Sequence, residues 1–302
     1  MKRTNFFRAI VVIMVAFLFL TGCSSTPLSV DENIINKSKM YAENFSVLKT
    51  ETIIIERKKD RFILIHNGDT TQPAEIYIPD DFEEEKPFST PPFSKKLEVP
   101  KRLKSLLNSA KKCVIAYIDS STVIRAEDKE KCKNFVNEVK LHNRIFSDSY
   151  YSDIGMVTLG NNIYINNNWV DYINERMIIH ELVHVISNKT NEGTKFEFHS
   201  YRSSMVNEVI TELIAREISE QYNLPTNTNI KIKYDLYFEP TLDIIAKLDL
   251  LDCYYYSDKY DGAINQIGKD MLDLIFITIN NLDENNQFYW AILFYELNEI
   301  MK

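Results

Sequence analysis

The chain has 302 residues, with 35 Lys and Arg against 43 Asp and Glu, a formal net charge of -8 and 45% hydrophobic residues. An acidic balance without a basic cluster argues against nucleic acid as a partner and against electrostatic adhesion to anionic lipid. The length and apolar content suit one large folded domain or two modest ones, and the seven glycines form no phosphate-cradling loop that would support nucleotide binding.

The first element is a targeting segment. Lys2, Arg3 and Arg8 make a basic start, and an unbroken apolar run follows at 9–20. That run is too short for a spanning helix, which needs about 20 residues, and suits a signal-peptide core. It ends in Leu20-Thr21-Gly22-Cys23, which resembles the lipobox of bacterial lipoproteins. The resemblance implies a signal peptide over 1–22, a lipidated Cys23, and a mature chain anchored to the bilayer on the outer side of the cell membrane. An ordinary secretory signal or an uncut N-terminal anchor is the alternative, and either also exports the chain. The polar stretch 24–39, with Pro27 near its start, reads as a tether, and 23–50 is assigned to it as a whole.

Short strands are expected at 52–57, 61–66 and 75–78, joined by turns at 58–60 and 67–69. Five prolines between Pro79 and Pro100 mark a linker, so 51–99 forms a small β-rich region with a Pro-rich end. Beyond it the pattern predicts a helix over 102–110, a buried strand over 113–118 and a further short strand over 122–126. A helix follows over 128–141, with Cys132, Phe135, Val136 and Val139 on one face. The next strand runs from 155 to 166, broken near Gly160-Asn161-Asn162. Helices are expected at 169–187 (N-capped by Asn168, with Asp171 in its first turn), at 203–222, and within 241–251, 264–280 and 287–301. Cys113 and Cys132 could pair on an oxidising export route. With no close-spaced cysteine framework, the preferred reading is that Cys113, Cys132 and Cys253 are buried thiols.

The chemistry lies in His180-Glu181-Leu182-Val183-His184. Residues four apart share a helix face, so His180 and His184 can hold one metal ion. Glu181 stays beside it without ligating, where a general base for a water is needed. The flanks are apolar, and a metal explains why three polar side chains sit in such a run. The third ligand is either His199 or an acid on the next helix. Gly at 187 and His at 190 would mark a metzincin, but the chain has Ser187 and Thr190.

Downstream stands Asn207-Glu208-Val209-Ile210-Thr211-Glu212. The two runs together resemble the gluzincins, zinc peptidases with two His and one Glu as ligands, over residues 177–217. The resemblance implies Zn2+ on His180, His184 and Glu208, with Glu212 fixing the His180 ring through a hydrogen bond. Glu217 and Glu220 read as solvated, and His66 and His142 as structural or surface residues. The chain departs from the best-known gluzincins in having no histidine after His199. An oxyanion donor would then be a tyrosine such as Tyr234, Tyr237, Tyr254, Tyr255 or Tyr256. In zincins the strand before the active-site helix often lies at the sheet edge, where a peptide can add as a strand, and 155–166 fits that place.

The sequence is therefore read as an α+β, zincin-like protein. A mixed sheet and active-site helix fill 100–222, a helical part follows over 223–302, and the β-rich region precedes both. The expected function is membrane-anchored zinc-dependent hydrolysis of protein or peptide substrates, with Glu181 as general base. The alternative is a non-catalytic zincin-like surface module, which would have no use for Glu181.

Overall fold

The computed structural model describes residues 28–44, 53–66, 69–78, 93–146, 154–191, 204–224, 245 and 248–280. Within them the fold is α+β, with two small sheets. The first is antiparallel, in the order β1 (Ile53–Arg57), β2 (Arg61–His66), β3 (Asp69–Tyr77). The second is mixed and contains β4 (Phe93–Leu97), β5 (Lys140–Phe146), β6 (Met156–Leu159) and β7 (Asn162–Asn166), in the spatial order β4-β5-β7-β6. β5 runs parallel to β7, whereas β4 and β6 pair antiparallel with their neighbours. The expected break near Gly160 is a tight turn with Gly160 at φ +60, a conformation that suits glycine. It leaves β6 at the edge of the sheet among the described residues.

Several corrections to the local reading follow from helical phase and long-range partners: residues 93–97, expected as linker, form β4, and β3 begins at Asp69 rather than at 75. The stretch 113–118 is not a strand. It lies within α2 (Lys101–Ser120), and Leu103, Leu107, Ala110, Val114, Tyr117 and Ile118 keep one buried stripe to the end. Residues 122–125 form no strand either. They are the bend before α3 (Ala126–Glu138), and Ser121 Oγ accepts the Val123 and Ile124 amides there. Next, α3 stops at Glu138, because Lys140 already opens β5, so 139–141 leaves the helix.

The segment assigned to a tether is in fact partly structural. Residues Val30–Asn44 form α1, whose Val30 and Ile34 are buried one turn apart. Lys37 of α1 pairs with Glu217 of α5 (Ser204–Gln221), so Glu217 is buried rather than solvated. Finally, the metal-motif helix α4 (Glu175–Thr190) starts later than expected. Asn174 caps it by accepting the Met177 amide at 3.0 Å, and Asn167–Trp169 is a separate 3-10 turn. Arg102 of α2 holds the loop between them by donating to the Val170 and Ile173 carbonyls.

The C-terminal part contributes α6 (Leu250–Tyr255), α7 (Tyr260–Ile267) and α8 (Lys269–Asn280), the last two separated at Gly268 with φ +82. The expected helix over 287–301 lies outside the described residues. One hydrophobic core takes side chains from α1, α2, α4, α5, α6 and α8. Cys113, Cys132 and Cys253 are free, buried thiols. Burial pushes Cys132 up to about 11 and Cys253 up to about 12, away from thiolate reactivity. No helix among the described residues is long and apolar enough to cross a membrane.

Candidate metal centre

α4 and α5 pack side by side, and their facing sides bring the sequence-predicted residues together. Nε2 of His184 lies 3.1 Å from Nε2 of His180. Glu208 Oε2 is 3.2 Å from His180 Nε2, and Glu208 Oε1 is 3.3 Å from His184 Nε2. A tetrahedral ion with ligands about 2.0 Å away sets those ligands about 3.3 Å apart. Each histidine faces a different oxygen of Glu208 at about that spacing, and one ligand atom from each of the three side chains lies within 4.8 Å of the others, close enough to share an ion. The two histidines are nearly buried, and Glu208 is 31% exposed, which leaves one side open toward solvent.

The outer hydrogen bonds decide which nitrogen of each ring faces the centre. His180 Nδ1 is 3.1 Å from Glu212 Oε2. A carboxylate only accepts, so Nδ1 carries the proton and Nε2 presents a lone pair in the neutral ring. Glu212 is buried, and its other oxygen meets Arg216 Nε at 3.1 Å and Arg176 Nε at 3.4 Å. His184 Nδ1 lies 3.3 Å from Thr211 Oγ1, whose single proton goes to the Asn207 carbonyl at 2.8 Å. That hydroxyl therefore accepts from His184 Nδ1–H. Two lone pairs and a carboxylate then converge on one point, an arrangement that repels itself unless a cation lies there. This is the fit expected of a two-His, one-Glu metal site.

Glu181 is 8% exposed and sits next to His180 on α4. Thr158 of edge strand β6 donates to Glu181 Oε2 at 2.6 Å and lies 3.3 Å from the Glu181 carbonyl oxygen. Met156 and Thr158 alternate with Val157 along β6, so the side that packs on α4 carries the hydroxyl.

Without a metal, a proton takes the cation's place. Burial favours the neutral His180 ring, but Glu208 and Glu212 outweigh it and raise its pKa to about 10. Burial likewise opposes the charge on Glu208 and Glu212. The His184 and His180 rings hold Glu208 well below the usual carboxylate range, and His180, Arg176 and Arg216 lower Glu212. The sign of the pH dependence follows. In the metal-free chain the carboxylates stabilise the fold above about 4.5 and lose this as pH falls, whereas His180 stabilises it below about 6.5 and loses this as pH rises toward 10. A binding ion must displace the His180 proton. Zinc affinity of the full chain is expected to rise about tenfold per pH unit between roughly pH 6.5 and 9, by competition with a chelating dye. A flat profile would exclude a protonated His180.

Comparison with protein-family models, with curated proteins and with solved structures gives no match.

The structure brings His180, His184, Glu208 and Glu212 into one cluster, and Glu181 follows His180 on α4 with its carboxylate held by Thr158. His199, Tyr234 and Tyr237 lie outside the described residues, as does Cys23. The tyrosines 254–256 are buried and engaged elsewhere. Tyr254 meets Thr211, Tyr255 meets Tyr117, and Tyr256 donates to Asp128 while accepting the Arg125 amide. They make poor oxyanion donors. His142 is structural, as expected, 2.8 Å from Asn162 Oδ1 and stacked on Tyr164. Sequence reasoning missed Arg176 and Arg216, although each stands four residues from a partner's helix position (His180 and Glu212) and was visible as spacing. It also missed Thr158, which reaches Glu181 from another element with no local signal.

Proposed function

We propose that the chain is a zinc-dependent peptidase of the gluzincin type, held at the outer face of a membrane. The observation that carries this reading is that His180 Nε2, His184 Nε2 and the two Glu208 carboxylate oxygens converge, each ring nitrogen 3.2–3.3 Å from one of those oxygens, with Glu181 the next residue after His180 on α4. A structural metal site has no need of the Glu181 carboxylate. His180, His184 and Glu208 would hold the ion, and zinc supplies Lewis-acid polarisation of a water and of the scissile carbonyl when bound.

The chain's own residues supply the proton handling. Glu181 takes a proton from the attacking water as the oxygen–carbon bond forms, and returns it to the amine nitrogen as the carbon–nitrogen bond breaks. Thr158 fixes one carboxylate oxygen during this exchange. Among the described residues β6 has no neighbour on the side away from β7, where an extended peptide could pair with it. The mixed sheet, with its edge strand against α4 and the Glu-bearing α5 following, supports the zincin-like reading.

The lipobox at 20–23 supports anchoring through Cys23. Because Ser29 and Val30 are already buried, only the five residues 24–28 separate a lipidated Cys23 from the folded part. Five residues span at most about 18 Å, so substrates would be cut close to the membrane surface.

The test is zinc stoichiometry of the full chain together with cleavage of a peptide library. One zinc per chain is expected, with cleavage abolished by chelation and restored by adding zinc back. No bound zinc, or cleavage indifferent to chelation, overturns the proposal. Zinc without any cleavage favours the non-catalytic surface module.

A further inference from the structure

The His180 side of the site is held by Glu212 and its two arginines. The His184 side is held differently, and through a different part of the chain. Thr211 Oγ1 stands 3.3 Å from His184 Nδ1 and 2.6 Å from the Tyr254 hydroxyl. Its own proton is committed to the Asn207 carbonyl. Its two lone pairs are therefore filled by His184 Nδ1–H and Tyr254 O–H, which completes the hydroxyl's hydrogen-bonding capacity. Thr211, Tyr254 and Asn207 are all buried, so water is a poor substitute for any of them.

Tyr254 comes from α6, 43 residues beyond Thr211. It is fixed there by the end of the metal-motif helix. Asn191, just past α4, donates to the Ser187, Tyr255 and Tyr254 carbonyls at 2.8, 2.9 and 3.4 Å, and accepts the Ser257 amide at 2.8 Å. The helix that carries His184 thus fastens the short helix that carries Tyr254, and Tyr254 reaches back to Thr211. The loop closes on the ligand.

We propose that Thr211 and Tyr254 are positioning residues for the metal, acting through His184 by fixing its ring with Nε2 toward the ion. This rests on the peptidase reading only in requiring that His180, His184 and Glu208 hold a metal. It makes α6 part of the metal centre, although α6 supplies no ligand. A valine at 211 keeps the shape of threonine but removes the acceptor. His184 Nδ1–H then loses its partner, and the ring is free to rotate or to present the wrong nitrogen.

The test uses the full chain and Zn2+ alone, with no substrate. Thr211→Val is expected to weaken zinc binding about 10- to 100-fold, and Thr211→Ser to restore most of it. Tyr254→Phe is expected to weaken binding several-fold. Cobalt substituted for zinc provides a second readout: the visible absorption of the wild type should be kept in Thr211→Ser and altered in Thr211→Val. A merely structural role would lower the thermal midpoint of the metal-free protein without changing this spectrum. If Thr211→Val does not fold, Tyr254→Phe decides, since it removes a single oxygen. Wild-type affinity and spectrum in both Thr211→Val and Tyr254→Phe overturn this inference alone. Absence of zinc binding in the wild type overturns the peptidase reading as well.

Discussion

Glu181→Gln is expected to lower kcat/KM for peptide cleavage about 10³-fold while the protein still binds one zinc per chain. Proton transfer by a positioned side chain contributes roughly 10²- to 10⁴-fold, and glutamine cannot accept the water's proton. The substitution is nearly isosteric. Thr158 can donate to the amide oxygen of Gln as it does to Glu181 Oε2, so the strand-to-helix contact survives. His180 and His184 keep their Glu212 and Thr211 partners, so zinc affinity should change little. The informative measurement is therefore paired: turnover on the best library peptide, and metal content of the same preparation. A variant that loses both reports a collapsed site and says nothing of the base. Activity within tenfold of wild type, with zinc bound, removes Glu181 from the mechanism and with it the main reason for calling this site catalytic.

The core of that site was legible because it is local. His180 and His184 are one helical turn apart, as are Glu208 and Glu212, and apolar neighbours mark both stretches as helices in contact with a core. Whatever lay between elements was not. Thr158 meets Glu181 across 23 residues and Tyr254 meets Thr211 across 43, and no periodicity announces either. Thr211 shows the limit well. It lies inside the recognised run, yet its task is set by a carbonyl, a phenol and a ring that only the fold assembles.

The same division explains the errors in the fold. The stretch 113–118 is rich in branched and aromatic residues and reads as a strand by itself. It is helical because its buried positions continue the stripe that begins at Leu103. Only the first two residues of β5 read as helix and the rest gives no signal because, of its seven residues, only Asn143 and Phe146 are buried, which is too weak an alternation to read. α1 reads as a tether because its polar residues look solvated. Asp31 and Ser38 are instead buried, and their partners lie elsewhere in the chain or one turn back.

Asp31→Ala is expected to destabilise the protein by about 4 kcal/mol or more, the largest effect of any single substitution outside the metal site. The Asp31 carboxylate is 0% exposed and sits in the first turn of α1. It accepts the Tyr117 hydroxyl at 2.8 Å, the Ser121 hydroxyl at 2.5 Å, the Thr122 amide at 2.9 Å and the Val123 amide at 3.3 Å. Alanine takes this acceptor from the Tyr117, Ser121 and Thr122 donors at once (the Val123 amide keeps Ser121 Oγ), and each buried donor left without a partner costs roughly 1–3 kcal/mol. Relaxation of the turn after α2 recovers part of this, so the sum is an upper bound. Against a total stability of about 5–15 kcal/mol, such a loss unfolds a large share of molecules near 37 °C. Asp31→Asn, which keeps one acceptor oxygen, should fall between alanine and wild type. Ser38→Ala is the control: Ser38 lies on the same helix and is buried, but among the described residues its hydroxyl bonds back to the Ile34 carbonyl alone, so its loss should cost less than about 1 kcal/mol. Urea unfolding of the three variants with equal m-values tests the ranking. The consequence reaches the metal centre, because Tyr117 also meets the Tyr255 hydroxyl at 2.8 Å, and Tyr255 is the chain neighbour of Tyr254. A chain cut after residue 44 would lose Asp31 outright, so a truncation that treats 23–50 as dispensable tether should yield protein with weakened zinc binding, whereas one that begins before Leu28 should not. Equal stability of Asp31→Ala and Ser38→Ala would show instead that α1 is held by its apolar face alone.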